Sequence, residues 1–194
     1  MLEIALHGFG NDAKNFQLPW PPPPAEIERI FLDAPHFDLF SGGRRWFSFT
    51  GDSLVLARGL ESAADALEER IATLAEQAAS RSIGGLCLTG HSQGAMLVLA
   101  LAARGSMALS VVHSYAGYLP LVFPVSSSHR PQPVTIHLYS SRSDPYVRTE
   151  NVAITASRLA VISGHNVIHH VADGLPHAFS SEWLNPYRFV EVEF

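Results

Sequence analysis

At 194 residues and 47% hydrophobic composition the chain is long enough to bury one continuous core and short for two, so a single domain over residues 1–194 is expected. A formal charge of -5, with no run of Lys or Arg long enough to neutralise a phosphate backbone, excludes an electrostatic hold on nucleic acid. A lone cysteine, Cys87, excludes an internal disulfide; no apolar stretch approaches the ~18 residues of a spanning helix, and MLEIALHGFG carries no basic leader, so an unprocessed cytoplasmic protein is predicted.

Taken in chain order, the first element is the apolar run Leu2 to Leu6, a strand by its length. His7-Gly8-Phe9-Gly10-Asn11 follows as a glycine-containing turn, and Leu18 to Ala25, with Pro19 and Pro21 to Pro24 around Trp20, reads as a stiff connector. Ile30 to Leu32 is a second strand. Ser62 to Ala79 places Leu67, Ile71, Leu74 and Ala78 at steps of three and four, the stripe of an amphipathic surface helix.

The strongest local signal comes next. Gly85 to Thr89 is a strand candidate, Gln93 to Arg104 is an Ala/Leu-rich helix candidate, and between them stands Gly90-His91-Ser92-Gln93-Gly94. A random chain of this length shows G-x-S-x-G about once in twenty, so the motif alone decides little. Its strand-turn-helix setting matters more, because a nucleophile elbow needs a strained turn flanked by small residues that let strand and helix approach closely. Ser92 is the candidate nucleophile.

A serine hydroxyl attacks well only with an adjacent base, and that base needs a carboxylate to fix its tautomer. Leu109 to His113 and Val134 to Tyr139 are further strands, separated by the proline-rich Pro120 to Pro133. Asp144 lies just past the second of them, in Ser140-Ser141-Arg142-Ser143-Asp144-Pro145. Glu150 to Ile162 reads as a helix and Asn166 to Val171 as a strand. His177 then falls on a loop beyond a strand end, where catalytic groups collect in open α/β sheets. His113, His137, His169 and His170 lie inside strand candidates and read as packed or solvated. Asp173 is a rival to Asp144, and Ser180 to Val190 holds a weaker helix candidate. The whole pattern predicts an α/β fold, a mostly parallel sheet with helices on both faces and no large cap domain.

The order Ser92, Asp144, His177 is the order of an α/β-hydrolase, and the oxyanion donors expected for such a site are the backbone amides of Phe9 and Gln93. The segments LHGFGND, APHF, GGRRWF, TGHSQGAM, SRSDPYV and LPHAFS, in that order, resemble the carboxylesterase and acyl-protein thioesterase group of α/β-hydrolases over nearly the whole chain. The resemblance implies a cofactor-free hydrolase of carboxylic esters or thioesters. It also implies that an antiparallel edge before Leu2 is trimmed, that Pro176 replaces a common glycine, and that Arg148 replaces a common proline.

Trp46, Phe47 and Phe123 are the expected apolar wall of a shallow, open substrate pocket, with Trp20 near its rim. A small-molecule ester or thioester of short to medium acyl length is the expected partner, with either a monomer or a homodimer. A binding module on the hydrolase fold would lack a triad member, and none is lost here. No H-E-x-x-H or comparable ligand spacing is present, so no metal and no cofactor is expected.

Overall fold

The computed structural model describes residues 1–49, 51–126 and 133–194. The stretch 127–132 of the expected Pro120 to Pro133 loop lies outside the described residues, and 120–126 forms turns and irregular chain.

Apolar runs too short for helices form the strands of the central sheet. β1 (Leu2–Leu6) is buried at every position. It is followed by a one-turn helix α1 (Ala13–Phe16), then β2 (Glu28–Leu32) and a small hairpin of β3 (His36–Phe37) and β4 (Arg44–Arg45). Then come α2 (Ser53–Ala79), β5 (Leu86–His91), α3 (Gln93–Arg104), β6 (Val111–Tyr115), β7 (Thr135–Ser141), α4 (Thr149–Ser163), β8 (Asn166–Ala172) and β9 (Phe189–Glu193). The large sheet has the order β2-β1-β5-β6-β7-β8-β9, parallel except for the antiparallel β9. This is an α/β fold with a mostly parallel sheet.

The two largest differences from expectation lie at α2 and at the C-terminal candidate. α2 begins at Ser53, not Ser62, because the Asp52 carboxylate caps the amides of Leu54 and Val55, and the buried stripe runs back through Leu60 to Leu56 despite Gly59. The C-terminal candidate Ser180 to Val190 is not a helix. Two 3-10 turns, Ser181–Leu184 and Pro186–Arg188, are divided at Asn185, where the following proline disfavours helical backbone, and Phe-Val-Glu-Val-Glu then alternates as a strand must.

Alternation along the strands divides the sheet into two unlike faces. Leu2, Ile4 and Leu6 align with Leu86 and Leu88, then with Val112, Ile136, Leu138 and Val167, and all of them join the core formed with α2, α3 and α4. The opposite face takes α1, Trp20 and the 3-10 turns, through a smaller cluster around Tyr115, Ala172, Leu175 and Trp183. Farther along that face stand His113, His137, Tyr139 and His170, their rings stacked across neighbouring strands.

The three aromatics expected on the pocket wall belong elsewhere. Trp46 and Phe47 are 4% exposed and Phe123 is 1% exposed, all within the helix-side core. The Trp46 indole donates to the His7 carbonyl at 2.8 Å, and a neutral hydrogen-bonded ring gains more from burial than from lining a wet cleft. Trp20 stacks on Phe179 and holds the Arg29 guanidinium 4.6 Å over its ring, so it packs behind the cleft wall.

Candidate active site

β5 delivers Ser92 at its C-terminal end. The serine has φ 51° and ψ -114°, a positive-φ backbone that non-glycine residues rarely adopt, and α3 starts at the next residue. Space explains the glycines around it: a methyl on Gly90 would strike the Gly94 carbonyl, and one on Gly94 would strike the Leu6 carbonyl. The turn is therefore clamped between its own helix and β1.

β7 and β8 end on the same side of the sheet, and the loops beyond them carry Asp144 and His177. His177 Nδ1 donates to Asp144 Oδ2 at 2.7 Å, and His177 Nε2 lies 2.9 Å from Ser92 Oγ. With its proton on Nδ1, the imidazole presents the Nε2 lone pair to the serine hydroxyl. Asp144 Oδ1 accepts the amides of Tyr146 and Val147 at 2.8 and 3.0 Å. Burial alone would raise this carboxyl, yet the His177 bond and the two amides outweigh it and hold it below its ordinary value. The structure brings Ser92, His177 and Asp144 into one line, whereas Asp173 pairs with Arg142 at the surface.

Phe9 and Gln93 line the same cleft as Ser92. Gly10 donates to Arg44 and Asn11 to Gly8, while Ser92 donates to Tyr115; among the described residues no turn, loop or cap bond consumes the Phe9 or Gln93 amide. The turn holding Phe9 is fixed by His7, fully buried, whose Nδ1 donates to Gly8 O at 2.7 Å and whose Nε2 accepts from the Ala34 amide at 3.1 Å. Desolvation lowers the pKa of His7, in keeping with this neutral, two-bonded ring. The Gln93 side chain reaches sideways, accepting from Trp46 N and donating to Phe47 O, and so straps the segment after β4 to the elbow.

A cleft of about 800 Å3 opens over Ser92. Its apolar wall is made by Phe9, Phe49, Met96, Tyr118, Tyr146, Val147 and Phe179, and its polar end by Asn11, Asp38, Arg45 and Ser48. Asp38 accepts from the Ser41 amide and hydroxyl and from Arg45, bonds that lower its pKa, the amide bond foremost. Sequence reasoning missed most of this wall. Met96 was within reach of it, standing one helical turn beyond Ser92, and Phe179 stands two residues beyond His177; Phe49 and Tyr118 carry no such signal. Among the described residues no group of His, Cys, Asp or Glu is arranged to hold a metal, and no helix is long and apolar enough to cross a membrane.

The fold is shared with solved hydrolases. Esterase PE8 superposes with a TM-score of 0.76 at 22% identity, covering 94% of this chain and 87% of that one. SOBER1 of Arabidopsis thaliana gives 0.68 at 18%, covering 95% and 93%, and acyl-protein thioesterase 2 of Zea mays gives 0.72 at 21%, covering 94% and 88%. No curated protein matches the sequence. Residues 2–188 match the phospholipase/carboxylesterase family, and the chain belongs to that family of α/β-hydrolases.

Proposed function

We propose that the chain, working as one hydrolase domain, is a serine carboxylesterase that cleaves short to medium acyl esters through an acyl-enzyme on Ser92. The observation that carries this reading is the unbroken line from Asp144 Oδ2 through His177 to Ser92 Oγ, at 2.7 and 2.9 Å, at the floor of an aromatic cleft. His177 Nε2 takes the Ser92 proton as Oγ attacks the acyl carbonyl. The amides of Phe9 and Gln93 hold the oxygen that becomes negative, and Asp144 stabilises the imidazolium. The tetrahedral adduct collapses, the carbon to alkoxy bond breaks, and the alcohol leaves with the proton from His177. Water then repeats the sequence on the acyl-enzyme and frees the acid.

The same groups would serve a thioester, because only the leaving atom changes; acyl-protein thioesterase 2 of Zea mays shares the fold. The cleft volume lies toward the upper part of the range for small-molecule sites, which suits a medium acyl chain or an aryl group better than acetate alone. Hydrolysis of p-nitrophenyl esters from acetate to decanoate by the wild type and Ser92→Ala, both folded by circular dichroism, tests the reading. Loss of about 10⁵ to 10⁶ in turnover in the variant is expected, and activity that survives it overturns the assignment. The ratio of rates on an ester and a thioester of one acyl chain ranks the two substrate classes.

A further inference from the structure

The elbow residue before Ser92 is a histidine that takes no part in the steps above. His91 is buried and wedged between the turn that carries Phe9 and the loop that carries His177. A methyl on Gly8 would come within 2.9 Å of His91 Nδ1, so that edge of the ring faces bare glycine backbone. The other edge meets the base loop, with Nε2 2.8 Å from the His177 carbonyl oxygen. A carbonyl only accepts, so Nε2 carries the hydrogen and Nδ1 is bare. The ring packs 5.2 Å from those of His177 and Phe179 and stacks on Phe16 at 6.4 Å.

The remaining ties of the base loop stop one residue short of the base. Gly174 N donates to Ser143 Oγ, Leu175 N to Ser141 Oγ, and the Trp183 indole to the Pro176 carbonyl. Among the described residues the main chain of His177 itself is held by His91 alone. We propose that His91 is the positioning residue of the general base: from the place next to the nucleophile it ties the backbone of His177 to the elbow, independently of the bond between His177 Nε2 and Ser92 Oγ.

The assignment rests on the reading of Ser92 and His177 given above. It explains why the elbow carries a ring with one donor at its far edge. Desolvation, followed by the nearby His177, pushes His91 down to about 3, so near neutral pH the ring is uncharged and its single hydrogen is the one that Nε2 gives to the carbonyl. A charged ring there would stand 5.2 Å from the imidazolium formed in each half-reaction and oppose it.

The test compares His91→Phe, which keeps the packing and removes the donor, with His91→Gln, whose amide nitrogen reaches the position of Nε2. Because a displacement of about 1 Å in a reacting group lowers rates by up to about a hundredfold, His91→Phe is expected to lose about ten- to a hundredfold in kcat with KM little changed. His91→Gln is expected to recover most of that loss. Wild-type kcat in His91→Phe, or equal damage in both variants, overturns the proposal, the second outcome pointing to packing alone. If neither variant folds, ¹⁵N spectra of the wild type decide: a neutral His91 with hydrogen on Nε2 is expected from about pH 5 to 9, and hydrogen on Nδ1, or titration within that window, overturns it. Ser92→Ala run alongside separates the two failures. Activity surviving Ser92→Ala sinks the triad itself, whereas activity lost there but intact in His91→Phe sinks only the role of His91.

Discussion

One hydrogen sets how Ser92 is addressed. It sits on His177 Nδ1 because Asp144 Oδ2 accepts it, and Asp144 is itself aimed by the amides of Tyr146 and Val147. Asp144→Asn turns the acceptor into an amide that can present its NH2 group, which favours the other tautomer and a protonated Nε2 facing the serine. A loss of about 10³ to 10⁴ in kcat is expected, with folding intact. Asp173→Asn, at the surface pair with Arg142, is the control and should leave kcat within about twofold of wild type. Steady-state kinetics on one p-nitrophenyl ester checks both, and a large loss in Asp173→Asn beside near wild-type kcat in Asp144→Asn would move the choice of acid to Asp173. At this scale the juxtaposition of Ser92, Asp144 and His177 was legible because each follows a strand end and each is the residue type that the proposed chemistry requires. His91 was not legible. Its partner lies 86 positions away, and nothing in Gly-His-Ser-Gln-Gly says that the ring reaches a carbonyl.

Elements read well where a periodic pattern was bounded by a breaker and poorly where tertiary contact decided. α3 runs over Gln93–Arg104 as its composition demands and stops at Gly105, a left-handed cap. Phe189 and Val190, the first residues of β9, were read into the helix candidate Ser180 to Val190 because the alternation of the strand is short and its stability comes from pairing with β8. The strands also hold something that sequence pattern undersold. His137 Nδ1 is 2.9 Å from His170 Nε2, whose other nitrogen faces Glu191, and His113 stacks on His137 with 5.0 Å between ring centroids. On the helix side His169 bonds Ser140 Oγ at 2.7 Å.

Burial pushes His113 and His169 down to about 4 from an ordinary 6.5, and it lowers His137 and His170 as well. Their folded values lie below their unfolded ones, so the stability of the neutral array is fully present above about pH 6.5. It is lost as pH falls towards 4, by up to about 1.4 kcal/mol per pH unit for each histidine that the unfolded chain protonates and the folded chain does not. Urea midpoints should therefore be level between about pH 8 and 7 and fall through the window from 6.5 to 4, before the lowered carboxyl of Asp144 begins to titrate. A level midpoint down to about pH 4.5 would show that the folded sheet accepts these charges.

For the whole molecule, the class of sheet and the side of it that carries chemistry were readable, while the cleft wall was not. Trp46, Phe47 and Phe123 have the composition of a binding wall and the burial of a core. Phe49 and Tyr146, 59% and 76% exposed, form the wall because loops beyond the strand ends turn them outward. Shared topology with hydrolases of 18 to 22% identity indicates that the strand order is kept by packing that many sequences satisfy, whereas the loop aromatics are free to differ.

The position of β1 between β2 and β5 also bears on how the site comes into being. Leu2 pairs with Leu86, so the strand that leads to Phe9 and the strand that leads to Ser92 meet only when the intervening chain has closed into a loop of more than eighty residues. No contiguous fragment shorter than that holds Phe9 beside Gln93. Assembly of the proposed site is thus tied to the most distant pairing in the sheet, a step that makes folding slow for a chain of this size. On dilution from denaturant, esterase activity should return with the sheet signal in circular dichroism and never ahead of it. Activity preceding that signal would mean that the two halves of the proposed oxyanion site find each other without the strands that carry them.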